Sequence, residues 1–213
     1  MRLLLQAVDH LVYATPKLET SVEEIMGLLG VRATPGGQHP GRGTRNALIA
    51  LSDAAYLEII GPDPEQPAPP EGTRRWFGID GIESPRLVAW AAKRTALETL
   101  AAEAARHGVK LGPVVSGSRT AADGTTLHWQ FTDPAVVVGE GVVPFFIDWG
   151  NSPHPAASAA RGPVLCALRG EHPEPAVIKR ALSAVGIDLP IGHGPRPALC
   201  ASLRTAKGIV ELR

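Results

Sequence analysis

The stretch Val8-Asp9-His10-Leu11-Val12-Tyr13-Ala14 is a short apolar run interrupted by one histidine, and the helix-start signal Thr15-Pro16 follows it at once. Further on, Tyr56-Leu57-Glu58-Ile59-Ile60 is an apolar run interrupted by one glutamate. Both runs are typical of buried strands, in which alternate residues share a face. A carboxylate in such a strand is costly unless a cation or hydrogen-bond donors meet it. We therefore expect His10 and Glu58 to point into one cavity.

The composition argues against several classes of protein. At 213 residues, the chain is long enough for one large domain or two small ones. Its 21 basic and 21 acidic residues balance, which argues against a nucleic-acid partner, because such proteins carry a basic excess. The apolar run at 3–5 is too short for a signal peptide or a membrane span. Since Cys166 and Cys200 lie in apolar stretches, we expect reduced core cysteines in a cytoplasmic protein without a membrane partner.

The order of one strand, one helix and three strands occurs three times along the sequence. The second copy follows a proline-rich linker at 62–72, and a third, shorter copy follows a linker at 151–163. The three predicted helices end at Gly30, Gly108 and Gly186. Order and stop signal repeat together, which indicates repeated βαβββ modules of the α+β class. The modules are expected at 1–61 and 82–150, within a domain at 1–155, and at 163–213 as a C-terminal module.

A glycine-rich segment follows the first helix, between residues 34 and 46, and is predicted to be a loop. Its glycines permit hinge motion, and it carries the polar side chains His39, Arg42 and Asn46. We expect residues 36–46 to be mobile and to close over a ligand. The alternative is that these are solvated loop residues.

Four stretches of the sequence carry a resemblance to a known family. They are Val-Asp-His-Leu-Val-Tyr at 8–13, Gly-Gly-Gln-His-Pro-Gly-Arg-Gly-Thr-Arg-Asn at 36–46, Tyr-Leu-Glu-Ile-Ile-Gly at 56–61 and Val-Pro-Phe-Phe-Ile-Asp-Trp-Gly at 143–150. With the repeated modules, they resemble the glyoxalase-like branch of the vicinal oxygen chelate superfamily over residues 7–155. The resemblance implies a curved mixed sheet like that of glyoxalase and bleomycin-resistance proteins, with a small-molecule substrate in its cup.

The resemblance also implies metal ligands on the first and fourth strands of each module. It assigns His10 and Glu58 to a divalent metal such as Zn²⁺, Mn²⁺, Fe²⁺ or Ni²⁺. The second module departs from the pattern, because the position that matches His10 falls near Ala89, which cannot ligate. His128 and Asp148 are the remaining candidate ligands. Their alternative roles are a solvent-facing strand residue for His128 and a turn cap for Asp148.

The candidate site combines catalytic and substrate-binding residues. Glu58 and His10 are the predicted catalytic pair, with the carboxylate moving a proton while the metal polarises substrate oxygens. His10 is alternatively a buried neutral histidine that is hydrogen-bonded to Glu58. The predicted substrate-binding residues are His39, Arg42, Asn46, Trp90, Phe146 and Trp149. The aromatic members of this set are alternatively core residues.

Two functions of different classes fit these residues. The first is a metal-dependent isomerase, lyase or dioxygenase that acts on a small oxygenated metabolite. The second is a metal-free protein that binds or sequesters a small molecule, which the departure near Ala89 favours. A third expectation is a structural role for the third module, whose sheet edge pairs with another module or with another subunit in a homodimer.

Overall fold

The structure, a computed structural model, describes residues 2–67, 69, 75–120, 124 and 126–213. It has the predicted α+β architecture, with few helices around a curved mixed sheet. The helix α1 (Arg2–Ala7) precedes the first repeat unit. That unit consists of β1 (Val8–Ala14), α2 (Leu18–Leu29), β2 (Thr34–His39), β3 (Thr44–Ser52) and β4 (Ala55–Pro62).

The other two units have the same element order. The second consists of β5 (Arg86–Lys93), α3 (Leu97–Arg106), β6 (Val114–Thr120), β7 (Thr126–Thr132) and β8 (Phe145–Asp148). A short strand β9 (Ala160–Arg161) precedes the third, which consists of β10 (Val164–His172), α4 (Pro175–Ala184), β11 (Ile191–His193), β12 (Ala198–Thr205) and β13 (Gly208–Leu212). The division into a domain at 1–155 and a module at 163–213 stays a prediction. None of the helices in the described residues is long and apolar enough to cross a membrane.

The first two units share one nine-stranded sheet, in which β1 takes a central place. The strand order is β2-β3-β4-β1-β5-β8-β7-β6, and β9 pairs with β3. Strand β1 runs parallel to β4 and antiparallel to β5, so that His10 is paired with Tyr56 on one side and Ala91 on the other. The third unit forms a separate four-stranded sheet, β11-β10-β12-β13. The polar residues of β1 therefore lie in the middle of the larger sheet.

One apolar core joins residues of both sheets with the helices. Trp90 and Phe146 belong to it and are fully buried, and the Trp90 indole nitrogen donates to the Val142 carbonyl oxygen at 2.9 Å. Alternate residues of a strand face opposite sides of the sheet. Phe145 and Ile147, the neighbours of Phe146, accordingly pack in other clusters. The sheet thus has one face for the core and one for a site.

The glycine-rich segment is a hairpin in the sheet, so the prediction of a loop is wrong. Strands β2 and β3 pair from Thr34 with Leu48 to His39 with Thr44, and only residues 40–43 form the turn. A Cβ atom at Gly36 would lie 2.0 Å from Asn46 Oδ1. That glycine therefore marks close packing of the Asn46 side chain against the backbone, since glycine in a strand allows such an approach.

Candidate functional site

A small cavity lies where β1 and β4 meet, with polar side chains on one part of its wall and aromatic rings on the rest. Its volume is about 40 Å³, which is room for roughly one water molecule. His10 and Glu58 both line it, with His10 Nε2 at 3.8 Å from Glu58 Oε2. The lining residues are His10, His39, Asn46, Tyr56, Glu58, Trp76, Phe77, Arg119, Trp129, Phe131, Pro134, Phe145, Ile147 and Trp149. The structure thus places His10 and Glu58 in one cavity.

Asp9 orients the His10 ring. The buried Asp9 carboxylate lies 2.8 Å from His10 Nδ1, 3.1 Å from Trp149 Nε1 and 3.2 Å from His154 Nε2. Burial would raise the pKa of Asp9, but the hydrogen bonds from His10 and His154 outweigh it and hold that pKa well below the ordinary 3.8. Because Asp9 is a carboxylate, which only accepts, His10 Nδ1 is the donor to it, and the other ring nitrogen, Nε2, is directed at Glu58.

Glu58 is held in place by its neighbours on β2 and β3. Asn46 Nδ2 donates to Glu58 Oε1 at 2.5 Å, and His39 Nε2 lies 3.9 Å from the same oxygen. His39 Nδ1 is 2.9 Å from Thr44 Oγ1. Burial lowers the pKa of His39 below its ordinary value, although the charge of Glu58 acts in the opposite direction. His39 is therefore a neutral imidazole beside a carboxylate at neutral pH.

A buried cation and a phenol complete the polar part of the cavity. Arg119 on β6 is 6 % exposed, and its Nη1 donates to the Gly36 carbonyl oxygen. Tyr56 stacks on His10 with ring centroids 4.7 Å apart and an interplanar angle of 19°. Burial, together with the charges of Asp9 and Glu58, raises the pKa of Tyr56 well above 10.0, so Tyr56 stays protonated. The carboxyl group of Glu58 and the guanidinium of Arg119 therefore line one cavity together with a neutral imidazole, His39, and a protonated phenol, Tyr56.

The segment Trp76–Gly81, a 3₁₀ turn between the first two units, covers the cavity. The Trp76 ring lies edge-on to His39 at 5.4 Å, and its indole nitrogen is buried without an acceptor among the described residues. Phe77 has a φ of 59°, a left-handed conformation that costs a bulky residue about 1 kcal/mol or more. Ile79 packs with Val12 in an apolar cluster that anchors the segment. This turn thus contributes Trp76 and Phe77 to the cavity wall, and closure of residues 36–46 over a ligand stays a prediction.

The donor set does not fit the metal site that the sequence predicted. His128 is exposed, and its backbone nitrogen donates to Ser152 Oγ; Asp148 Oδ1 accepts from the Gly150 nitrogen at 2.9 Å. Neither side chain lines the cavity. His128 faces solvent and Asp148 caps a turn, which are the alternative roles stated for them above. Throughout the part of the chain that the structure describes, no three His, Cys, Asp or Glu side chains form a group that could hold a metal ion. Glu58 Oε1, moreover, already accepts from Asn46.

The predicted substrate-binding set divides into two halves. His39, Asn46 and Trp149 line the cavity. Arg42 does not line the cavity. Its guanidinium carbon lies 4.7 Å from the centroid of the Trp76 ring instead. Trp90 and Phe146 lie in the core and do not line this cavity. The reason is the strand period of two: Phe145, one position away from Phe146, is the residue that faces the cavity.

Several residues that line the cavity or hold its lining residues in place were not predicted from the sequence. The sequence pattern could have identified Asp9 and Tyr56, because Asp9 adjoins His10 and Tyr56 shares a strand face with Glu58. Arg119 had no such signal, since it lies in a short polar stretch that resembles a loop. Trp76 and Phe77 lie in a linker, and His154 lies in another. Contacts made by linkers are long-range and leave no periodic pattern.

The curved sheet, built from two strand–helix–three-strand units with a cavity in its middle, is the fold of the vicinal oxygen chelate superfamily. The family described as "Glyoxalase-like domain" matches residues 8–186. Since this match covers most of the chain, the protein belongs to the glyoxalase-like domain family of that superfamily. A search of curated proteins found no match.

Solved structures similar to this chain have low sequence identity to it. A hypothetical protein from Staphylococcus aureus is 13% identical, with 96% of this chain and 83% of that chain covered and a TM-score of 0.61. Methylmalonyl-CoA epimerase from Streptomyces coelicolor, in complex with 2-nitronate-propionyl-CoA, is 18% identical over 70% of this chain and 97% of that chain, with a TM-score of 0.45. The epimerase from Mycobacterium tuberculosis is 17% identical over 68% and 87%, with a TM-score of 0.41. The likeness to the Staphylococcus protein supports the fold.

Proposed function

We propose that the protein is an enzyme that moves a proton at a carbon next to a carbonyl group of a small oxygenated metabolite, in an isomerase or lyase reaction. The observation that carries this proposal is that a buried carboxylate, Glu58, and a buried guanidinium, Arg119, line the same cavity. A base and a fixed positive charge are the two groups that such a reaction requires. Both side chains are almost fully buried beside aromatic rings, and a low local dielectric strengthens the electrostatic effect of each.

In the proposed reaction, Glu58 takes the proton from carbon. The electron pair of the broken C–H bond moves to the carbonyl oxygen, and Arg119 stabilises the negative charge that develops there. The buried indole N–H of Trp76, which has no acceptor among the described residues, is a second donor for that oxygen. For a 2-hydroxy carbonyl substrate, Glu58 then delivers the proton to the former carbonyl carbon while the hydroxyl proton passes to the former carbonyl oxygen, which gives the isomer. In the lyase case the enolate re-forms the carbonyl group and expels a leaving group, with its bonding electron pair, from the β-carbon.

His10 is a second proton acceptor in this scheme. Its Nδ1 proton is fixed by Asp9, and its Nε2 lone pair lies 3.8 Å from Glu58 Oε2. His10 Nε2 can therefore accept the proton from Glu58 when product leaves. A carboxylate behind a histidine fixes the tautomer and stabilises the imidazolium that forms. Asp9 is thus a positioning residue rather than a residue that touches substrate.

The test is exchange of carbon-bound hydrogen for deuterium. A panel of 2-oxo acids, 2-hydroxy ketones and acyl thioesters is incubated with the protein in D₂O and followed by proton NMR. We expect at least one probe to lose its α-hydrogen signal, and Glu58→Gln to slow that loss by about 10²-fold or more, as for removal of a general base. Pre-treatment with a chelator should leave the rate unchanged, because no step uses a metal.

Asp148→Asn is the matched control, since it neutralises a carboxylate that lies outside the cavity. It should exchange the same probe at the native rate. Equal exchange by native protein and Glu58→Gln would contradict the proposal. If no probe exchanges but members of the panel bind, the function is that of a metal-free binding protein, the second class that fits the sequence. If a chelator abolishes exchange and one divalent metal restores it, the enzyme is metal-dependent, as in the first function that the sequence predicted.

A further inference from the structure

A large cleft adjoins the small cavity. Its volume is about 900 Å³, the size of sites that hold drug-sized ligands, whereas the cavity of about 40 Å³ is too small for more than a reacting group. The cleft lies where the 133–144 loop of the second unit meets the 195–199 segment of the third. Its lining is largely aliphatic and proline-rich, and two of its valines, Val136 and Val137, are 39% and 57% exposed. A concave space with a mostly apolar lining and a few polar groups is the usual form of a small-molecule site.

One part of the cleft is cationic. Arg86, Arg196 and Arg213 all line it. Arg213 is engaged by Glu171, whereas Arg86 and Arg196 have no acidic partner within the described residues. Arg86 and Arg213 are close together, because the backbone nitrogen of Leu87 donates to the Arg213 carbonyl oxygen at 3.1 Å. Arginine binds carboxylates with a fork of parallel N–H donors.

The acidic residues of the cleft do not cancel these arginines. Glu140 Oε2 is 3.1 Å from His172 Nε2, which ties it to the third unit. Glu83 is the other acidic lining residue. The lining therefore combines an aliphatic body with two arginines that lack an acidic partner in the described part of the chain.

The cleft and the cavity have a common wall. Phe77, Pro134 and Phe145 line both, and the rings of Phe77 and Phe145 have centroids 5.7 Å apart. Phe77 is the residue with the left-handed backbone in the covering turn. The Phe77 side chain is only partly buried, and both spaces lie against it. Movement of Phe77 would join the two spaces.

We infer that the cleft binds an amphipathic organic acid: its carboxylate lies at Arg86 and Arg196, its apolar chain along the valines, and its far, oxygenated end passes Phe77 to reach Glu58. The substrate class is therefore an oxo acid with an aliphatic body. This inference rests on the proposed function for the role of the far end, but binding in the cleft does not require catalysis.

The experiment measures binding of dodecanoate, a probe without a reactive carbonyl, by isothermal titration calorimetry. Val137→Glu adds a repelling charge to the apolar wall and should weaken binding by about tenfold or more, and Arg196→Ala by about fivefold. The matched controls are Val177→Glu, an exposed valine on α4, and Arg204→Ala, an exposed arginine on β12. Both should bind within about twofold of native protein. Glu58→Gln should also bind normally, which separates this inference from the proposed reaction.

The orientation of the chain is tested with spin-labelled fatty acids. A label at the terminal carbon should broaden the NMR signals of Phe77 and His10, and a label near the carboxylate should broaden those of Leu87 and Leu199. No dodecanoate binding up to about 1 mM, or binding that Val137→Glu and Val177→Glu leave equally unchanged, would overturn the cleft as the site. Dodecanol binding as tightly as dodecanoate would overturn the role of the arginines, and the reverse pattern of broadening would overturn the orientation.

Discussion

The two halves of the nine-stranded sheet have the same element order but contribute different chemistry to the cavity. Strands β1 to β4 supply its hydrogen-bonded polar residues His10, His39, Asn46 and Glu58, whereas β7 and β8 supply rings and aliphatic side chains. Arg119 on β6 is the charged residue that the second half adds to the described lining. A repeated fold thus does not imply a repeated site. In the proposed reaction, the first half supplies the base and the residues that hold it, and the second half supplies most of the aromatic wall and the positive charge.

The largest expected effect comes from removing the charge that the second half contributes. Arg119→Met keeps an aliphatic chain in the wall and should slow hydrogen exchange by about 10² to 10³, as for loss of a donor to a developing oxyanion. Arg119→Lys should retain part of the activity. The control is Arg161→Met, which removes an exposed arginine paired with Asp53. Exchange by Arg119→Met at the native rate would mean that the first half works alone.

The next effect concerns Asp9, the buried carboxylate behind the first half of the site. Asp9→Asn replaces an acceptor of three donors by an amide and should lower the free energy of unfolding by about 2 to 3 kcal/mol. The amide N–H₂ facing His10 Nδ1 should also move the histidine proton to Nε2, which ¹⁵N chemical shifts of the ring report.

Asp53→Asn is the matched control for that change, because the Asp53 side chain is 92% exposed. Its loss should alter stability by less than about 0.5 kcal/mol. A native Nδ1–H tautomer in Asp9→Asn would show that Asp9 does not set the orientation of His10.

His39 gives a smaller effect, which appears as pH dependence. Burial lowers the pKa of His39 in the folded protein below the ordinary value of 6.5. Below pH 6.5, His39 is therefore protonated in the unfolded chain while it is still neutral in the folded protein. Stability should therefore fall as pH drops from about 6.5 towards the lowered folded value, by at most about 1.4 kcal/mol per pH unit.

Urea unfolding of native protein and His39→Gln at several pH values measures the difference. The variant should lose this part of the slope, because its amide does not titrate, whereas His128→Gln, at an exposed position, should keep it. Identical slopes for native protein and His39→Gln would mean that His39 titrates normally in the fold.

The site residues of the first half were easier to predict from the sequence than those of the second half. The meeting of His10 and Glu58 was predictable, because strand alternation is a local rule and both residues interrupt apolar runs. His128 and Asp148, which the family resemblance suggested as ligands, do not line the cavity in the structure, because a resemblance carries ligand positions over without showing which face of a strand each side chain takes. Arg119 reaches the cavity by the sheet order β8-β7-β6, a tertiary fact without a sequence pattern.

The smallest expected effect belongs to Arg42, and it separates two roles for one side chain. A substrate-binding role and a packing role both place a cation near the covering turn, but the contact in the structure is with the Trp76 ring, at 4.7 Å. A cation over an indole contributes about 0.5 to 1 kcal/mol at a partly exposed position. Arg42→Ala should lower the free energy of unfolding by that amount, while dodecanoate binding and hydrogen exchange stay within about twofold of native protein. Arg42→Lys, which keeps a cation but not the planar group, should lie between the two in stability. A drop in exchange of tenfold with unchanged stability would instead show that Arg42 contacts substrate, and the polar contribution of the first half would then extend to the turn at 40–43.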